Sequence, residues 1–285
     1  MLDITKILIG EIRDKCRAAF VEHYSDESPA LLDFVRDSTS MAMHAISCSN
    51  ALYHDIEHTA RVTMTGIEIL RVRQQQCRDL DAALWANTIT ALLFHDIGYA
   101  RGASRADTHA SIATGRGGTA VANLPGQSDA YLLPFHVDRG QLIAEEAFAG
   151  HDVANAVFIQ QCIERTRFPV PADHEYQCTD DLPGLVRAAD LIGQLSDPRY
   201  LSKLPAVFCE FEENGLNEKF GYAGPGDLLT AYPVFFETCV APYIDAAEML
   251  LRCSFEGQET LSHLYHNLDV AKDASRRSKM KHAAA

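Results

Sequence analysis

Apolar residues recur at spacings of three and four along most of this chain, and this helical periodicity limits its fold more than any other feature. In the first segment the apolar stripe consists of Ile4, Ile7, Leu8, Ile12, Cys16, Ala19 and Phe20. The same pattern predicts helices over residues 52–73, 82–95, 138–148, 152–165 and 181–192. No segment alternates convincingly with the period of two that is typical of a half-buried strand. The sequence therefore predicts an all-α protein that folds as a helical bundle.

The chain has 285 residues, a length that suits one large domain or two modest ones, since domains commonly have ~100–200 residues. No repeat or low-complexity linker divides it. We therefore predict one helical domain over residues 1–285, with its core motifs in residues 53–200 and a helical extension over residues 201–285. Glycines and prolines concentrate in residues 100–134, which predicts a long loop with at most short helices. The basic tail, residues 275–281, is expected to be frayed.

Composition and charge limit the partners of the protein. Lys and Arg total 25 against 39 Asp and Glu, a formal net charge of −14, which argues against binding to long nucleic acids or anionic membranes. No run reaches the ~18 apolar residues of a membrane helix, and the N-terminus lacks the pattern of a secretory signal, so we expect a cytoplasmic protein. The eight scattered cysteines form no C-x-x-C pair and are expected to be reduced.

Histidines and aspartates inside these helical segments indicate the chemistry. His54 and His58 lie four residues apart, a spacing that on a helix places both imidazoles on one face. His95 and Asp96 are adjacent at the end of an apolar segment, and Asp190 is a lone carboxylate in another. Such a carboxylate is costly to bury unless it is paired or ligates a metal. Two imidazoles, of His58 and His95, and two carboxylates, of Asp96 and Asp190, could therefore hold one cation between three helices.

The order and spacing of these residues resemble the HD superfamily of metal-dependent phosphohydrolases. His58, the pair His95-Asp96 thirty-seven residues later and the downstream Asp190 match its ordered set of motifs. The run that begins at Tyr53, Tyr-His-Asp-x-x-His, is similar to the Tyr-His-Asn-x-x-His motif of cyclic-nucleotide phosphodiesterases. The resemblance implies an HD-domain, phosphodiesterase-like helical bundle.

A narrower resemblance is to uncharacterised bacterial stand-alone HD phosphohydrolases. It rests on the runs His-Asp-Ile-Gly-Tyr (95–99), Pro-Phe-His-Val-Asp-Arg (134–139) and Ala-Asp-Leu-Ile-Gly-Gln (189–194). Two positions depart from better-known branches. Gly98 supplies no second-site histidine, because the run lacks the His-Asp-x-x-His pattern of phosphodiesterases, and Tyr99 stands where the cyclic-di-GMP hydrolysing branch has a lysine. The departures affect the choice of substrate and leave the primary metal ligands intact.

The resemblance implies that His58, His95, Asp96 and Asp190 bind one or two divalent ions, which could be Fe, Mn, Mg, Zn or Ni. Asp96 would be essential to catalysis through that metal, and a metal-activated water would attack a phosphodiester or phosphomonoester. His54 takes the position of the general acid. The implied substrate is a small, nucleotide-like phosphate compound, and a homodimer is compatible with this function.

Several other residues are candidates for binding roles. His136 is the preferred candidate for a second metal site, with His109 as a weaker one. Arg139 and Arg167 are candidates for clamping phosphate oxygens, although ordinary salt bridges are the alternative for both. Gln194, one turn beyond Asp190, is a candidate for ligand contact.

Two other functions remain open at this point. Some HD-fold proteins hold two irons and oxidise their substrates with oxygen, and His109, His136 or His151 could complete such a ligand set. Alternatively, the fold could bind a nucleotide as a non-catalytic sensor. The complete set of metal ligands disfavours the sensor, because binding alone does not need a metal that activates water.

Overall fold

The structure is a computed structural model that describes residues 3–24 and 28–283. Within these ranges the chain forms twelve α-helices and two short strands, and 70% of the structure is helical, so the predicted all-α class is confirmed. None of the helices in the described ranges is both long and apolar enough to cross a membrane.

The helices follow one another with few long interruptions. In chain order they are α1 (Ile4–Tyr24), α2 (Pro29–Ser47), α3 (Ile56–Cys77), α4 (Ala82–Phe94), α5 (His136–Phe148), α6 (Ala156–Arg165), α7 (Leu182–Leu195), α8 (Tyr200–Glu213), α9 (Leu216–Phe220), α10 (Pro225–Phe235), α11 (Asp245–Leu251) and α12 (Phe255–Ala283). The strands are β1 (Ser111–Ala113) and β2 (Ala120–Ala122). A 3-10 turn, Ile97–Tyr99, follows α4.

Aspartates fix the starts of the three helices that surround the site. The carboxylate of Asp55 accepts hydrogen bonds from the backbone N–H groups of Glu57 and His58 at the start of α3. Asp81 and Asp181 cap α4 and α7 in the same way. Such caps satisfy donors that the first turn of a helix leaves free. Each helix therefore begins at a defined residue.

The centre of the molecule is α4, whose residues from Trp85 to Phe94 are all buried. A helix that is apolar on every side requires neighbours on every side. Helices α3, α6 and α7 pack around it, and α3 also packs closely on α7. A Cβ atom on Gly193 of α7 would lie 2.9 Å from Cα of Val62, so only glycine allows this close approach. One hydrophobic core continues from Ile9 in α1 to Ala271 in α12.

Three expectations about the elements need correction. Helix α3 begins at Ile56 and not at residue 52, because Asp55 caps it there. The loop over residues 100–134 contains the antiparallel pair β1–β2, with Ile112 opposite Val121. The tail expected to be frayed belongs to α12, a single helix of 29 residues. Buried leucines anchor the first half of α12, and neither glycine nor proline interrupts it after Gly257.

Candidate metal centre

Two imidazoles and two carboxylates meet where α3, α7 and the end of α4 converge. Nε2 of His58 and Nε2 of His95 lie 3.3 Å apart. Oδ2 of Asp96 lies 3.1 Å from the first of these nitrogens and 3.2 Å from the second. Oδ1 of Asp190 lies 3.5 Å and 3.6 Å from the same two atoms. Ligand atoms that share a cation at about 2.1 Å are roughly 3.0–3.4 Å apart, so this spacing is close to that of a coordination shell.

The polar atoms of this cluster only partly satisfy one another. Oδ2 of Asp96 is buried without a hydrogen bond, since neither imidazole approaches it with hydrogen-bond geometry. Nδ1 of His95 lies 2.7 Å from the carbonyl oxygen of Leu92 and donates its hydrogen there, so Nε2 carries the lone pair that faces His58. Unpaired polar atoms are costly to bury. A divalent cation would pair with that oxygen, and the donor set fits such an ion, since His58, His95 and Asp190 each offer a ligand atom within 4.8 Å of one another.

The charges of the cluster favour positive charge between the two acids. Burial lowers the pKa of His58, but close contact with the carboxylates of Asp190 and Asp96 and the charges of both acids raise it to about 9. The pKa of His95 also reaches about 9, because the two aspartates outweigh burial. Burial raises the pKa of Asp96, yet His95 and His58 hold it well below its ordinary value. Binding of a divalent cation would displace these protons from the imidazoles.

His54 lies beside the cluster but not on α3, so the prediction that it shares a helical face with His58 is wrong. It precedes the cap residue Asp55, and Glu210 of α8 fixes it instead. Oε2 of Glu210 lies 2.6 Å from Nδ1 of His54, and Oε1 accepts the backbone N–H of Tyr53 at 2.7 Å. Nδ1–H therefore donates to a carboxylate, which leaves Nε2 of His54 for chemistry.

The contact with Glu210 also changes the acidity of both groups. Burial lowers the pKa of His54, but the charge of Glu210 and its hydrogen bond raise it overall. Burial raises the pKa of Glu210, and the facing His54 lowers it below its ordinary value. The pair therefore favours a protonated imidazole beside a carboxylate, which is the state that a general acid needs before it acts.

His136 approaches the opposite oxygen of Asp96. Its Nε2 lies 3.9 Å from Oδ1 of Asp96, while its Nδ1 donates to the carbonyl oxygen of Leu133 at 2.6 Å. Gly98 makes this contact between the 3-10 turn and α5 possible, because a Cβ there would lie 1.9 Å from the carbonyl oxygen of His136. Burial lowers the pKa of His136, which favours its neutral form. In that form Nδ1 carries the hydrogen and Nε2 has the lone pair that a metal could take. Asp96 thus has one oxygen toward His58 and His95 and the other toward His136.

The side chains of the cluster and its neighbours differ in their exposure to solvent. The side chains of His58 and His95 are 3% and 1% exposed, respectively. Those of Asp190, His54 and His136 are 20%, 18% and 15% exposed. A small molecule would therefore reach the four ligand residues from the side where these three side chains lie.

Arg139 is not a phosphate clamp, and that prediction is wrong. The side chain is fully buried. Its guanidinium donates to the carbonyl oxygens of Gly98, Ala100 and Ala113 and to both carboxylate oxygens of Asp107. All five N–H donors of an arginine are then occupied. Arg139 fixes the 3-10 turn and β1 to α5 and has no donor left for a substrate.

Arg167 forms the salt bridges that were its alternative role. Its Nη2 lies 2.8 Å from Oε2 of Glu164 and 2.7 Å from Oδ1 of Asp138. A phosphate would have to displace these two carboxylates. Gln194 lies one turn beyond Asp190 and contacts Tyr200, so its proposed ligand contact remains a prediction.

The weaker histidine candidates lie on the surface. His109 and His151 are both exposed, and His151 packs its ring 5.4 Å from that of Phe34. It lines a cavity of about 310 Å³ between α2 and α5. A neighbouring cavity of about 700 Å³ lies along α6. Neither cavity is lined by a residue of the His–Asp cluster, so we place the chemistry at the cluster and not in these cavities.

Sequence reasoning missed Glu210 and the role of Tyr99. Glu210 continues the buried face of α8, which consists of Tyr200, Leu204 and Val207. An acidic residue at helical spacing from these apolar residues could have identified it in the sequence. Tyr99 is 1% exposed and lies between the rings of His54 and His136. No spacing in the sequence predicts that contact, because it joins three separate segments.

Comparison with known proteins gives one family. A protein-family model described as Npun_R2479-like matches residues 2–274, which is nearly the whole chain. No curated protein and no solved structure matches the chain significantly. The family match includes every residue of the His–Asp cluster.

Proposed function

We propose that this chain, which belongs to the Npun_R2479-like family, is a metal-dependent phosphohydrolase with an HD-type helical fold. The observation that carries the proposal is the convergence of His58, His95, Asp96 and Asp190 around one point. These are the residues on which the resemblance to HD phosphohydrolases rests. The unpaired Oδ2 of Asp96 among them suits a divalent ion better than it suits a structural core.

The four ligand side chains would hold the ion, with the two histidines neutral and the two aspartates ionised. When bound there, a divalent cation lowers the pKa of a coordinated water and neutralises charge on phosphoryl oxygens. His136 would extend the ligand set beside the second oxygen of Asp96. This position supports the binding of a second ion. The protein would thus supply two histidines and two aspartates to one metal site, and His136 to the second.

His54 would act as the general acid. A water molecule would attack phosphorus and lose a proton to solvent, the bond between phosphorus and the leaving oxygen would break, and Nε2–H of His54 would give its proton to that oxygen. Glu210 holds the opposite ring nitrogen, so the proton-donating edge keeps one orientation. The carboxylate also stabilises the imidazolium before transfer.

The substrate that suits this site is a small phosphate ester, such as a nucleotide. The opening is formed by three partly exposed side chains, and the chain carries a net charge of −14. Neither feature suits a long polyanion, which requires a basic groove. Positive charge for the phosphate would come from the metal and from protonated His54.

A reconstitution experiment tests the proposal. Metal-free protein is loaded separately with Zn²⁺, Mn²⁺, Mg²⁺, Ni²⁺ or, without oxygen, Fe²⁺. Each form is assayed with bis(p-nitrophenyl) phosphate and p-nitrophenyl phosphate, and oxygen consumption is recorded with the iron form. We expect metal-dependent hydrolysis of a phosphate ester. Binding of two irons with oxygen uptake and no hydrolysis of either ester would instead identify an oxygenase, and no bound metal would contradict both.

The His54→Ala variant tests the acid role. We expect it to keep its metal and to lose about 10²–10⁴-fold in kcat, the usual contribution of general acid–base catalysis. His44→Ala is the matched control, since His44 is an exposed histidine on α2 that bonds to the carbonyl oxygen of Ser40. Loss of metal from His54→Ala would make His54 a ligand and not an acid.

A further inference from the structure

We propose that Tyr99 is a positioning residue that holds His54 and His136 in the orientations needed for hydrolysis. This inference rests on the proposed function. It assigns a role to the residue that follows His-Asp-Ile-Gly, where the chain departs from better-known HD branches. Tyr99 would act through the two imidazoles and does not itself touch the reacting atoms.

The three rings form a continuous stack. The ring centroids of His54 and Tyr99 lie 4.6 Å apart with an interplanar angle of 15°. On the other side, the centroids of Tyr99 and His136 lie 4.7 Å apart at 17°. Both distances and both angles are those of nearly parallel, stacked rings, a favourable arrangement for aromatic pairs. Tyr99 is therefore in face contact with both histidines.

The stack complements the hydrogen bonds of the two imidazoles. Nδ1 of His54 bonds to Glu210, and Nδ1 of His136 bonds to the carbonyl oxygen of Leu133. One hydrogen bond fixes one point of a ring but allows the plane to rotate about that point. Contact with the face of Tyr99 fixes the plane. Each imidazole is thus held at one nitrogen and along one face, and the remaining nitrogen is directed by both constraints.

The backbone makes Tyr99 a firm support. Its N–H donates to the carbonyl oxygen of Asp96 at 3.0 Å within the 3-10 turn. The preceding Gly98 lies against the backbone of His136, so the turn cannot move away from α5 without breaking that contact. The carbonyl oxygen of Gly98 also accepts a hydrogen bond from buried Arg139. The turn that carries Tyr99 is thereby joined to α5 at two points.

Two substitutions separate stacking from mere filling of space. Tyr99→Leu keeps an apolar side chain but removes the aromatic face, whereas Tyr99→Phe keeps the face and removes only the hydroxyl. We expect Tyr99→Leu to lower kcat about 10–100-fold, the loss typical of a residue that orients a metal-site group, with KM changed less than about threefold. Tyr99→Phe should retain kcat within about threefold. Metal bound by His58, His95, Asp96 and Asp190 should be the same in both variants.

Phe20→Leu is the matched control for the loss of a buried aromatic ring. Phe20 is fully buried on α1 and contacts the rings of Tyr24 and Trp85, away from the His–Asp cluster. We expect it to lose stability without a loss of kcat per folded molecule. Equal losses of kcat in Tyr99→Leu and Tyr99→Phe, or no loss in Tyr99→Leu, would overturn the proposal.

A second measurement does not depend on activity. Proton NMR of the folded protein reports the ring hydrogens of His54 and His136, which the ring current of Tyr99 shifts upfield. These signals should move downfield in Tyr99→Leu and stay in place in Tyr99→Phe. If the wild type hydrolyses no phosphate ester but the signals behave in this way, the proposed function fails and the stack stands. If the wild type is active and the signals do not move, the stacking proposal fails alone.

Discussion

Two buried polar clusters lie close together in this protein and differ in one respect. Around Arg139, every N–H donor meets a carbonyl or a carboxylate oxygen of Asp107. Around His58 and His95, the two Nε2 atoms face each other at 3.3 Å and an oxygen of Asp96 has no hydrogen bond. Burial does not separate them clearly: the side chains of Arg139 and Asp107 are 0% and 2% exposed, and those of His58, His95 and Asp96 are 3%, 1% and 6% exposed. What separates a structural cluster from a candidate functional site is therefore the satisfaction of its polar atoms and not its burial.

The difference gives opposite expectations for the two clusters. The Arg139–Asp107 cluster contributes to folding, because removing one partner leaves the other charged and unpaired in the interior. Under the proposed function, the His–Asp cluster would instead contribute to metal binding, and Oδ2 of Asp96 would gain its partner from the ion. Stability and activity should therefore respond to different substitutions.

The largest effect is expected for Asp96→Ala. Loss of this carboxylate removes the group that approaches both imidazoles, so bound metal should fall and kcat/KM should decrease by about 10³-fold or more. Metal analysis and hydrolysis of bis(p-nitrophenyl) phosphate measure the two changes. Asp107→Asn is the matched control in the other cluster, and it should lose stability while keeping metal and activity per folded molecule. An active Asp96→Ala enzyme with wild-type metal content would break the comparison.

The next effect is expected for Arg139→Met. The substitution leaves Asp107 buried without its partner and removes donors from three carbonyl oxygens, so the free energy of unfolding should fall by about 3–5 kcal/mol. Urea denaturation measures this loss. Addition of metal should not reverse it, because the ion binds to the other cluster. A variant as stable as the wild type would show that Arg139 does not join the 3-10 turn to α5.

The candidate ligand residues could be predicted from the sequence because each is a polar residue in or beside an apolar segment. His95 and Asp96 end an all-apolar helix, and Asp190 interrupts another, so each segment by itself reveals a polar group that needs a partner. The helices could be predicted for the same reason, since their periodicity is local. Helices α3 and α7 and the end of α4 then bring these side chains together, as the order of the motifs implied.

The residues around the ligands could not be predicted in this way. Arg139 follows His136 by three residues, and the sequence does not show that its side chain is directed into the protein and away from the site. Glu210 meets His54 across 156 positions of the chain. His54 itself lies outside α3 because the cap at Asp55 overrides the helical spacing. These contacts depend on tertiary packing, which periodicity does not encode.

The smallest effect concerns pH, and it distinguishes the metal-free cluster from the loaded one. The pKa values of His58 and His95 rise from 6.5 to about 9 on folding of the metal-free protein. A raised pKa gives stability that is complete below pH 6.5 and is lost as pH rises through about 9. The lowered pKa of Asp96 acts only at acid pH, well below this interval. The melting temperature of metal-free protein should therefore fall between pH 6.5 and 9, by about 2–4 °C for each kcal/mol lost.

Metal should reverse that trend, because the same imidazoles must lose their protons to bind it. The gain in melting temperature at fixed metal concentration should thus increase from pH 6.5 to pH 9. Thermal unfolding of both forms across this interval measures the difference. A metal-free protein whose stability stays constant while metal affinity still rises would mean that the aspartates do not hold protons on the two histidines. In that case the metal-free cluster would hold neutral imidazoles beside its two acids, already in the protonation state that a cation needs.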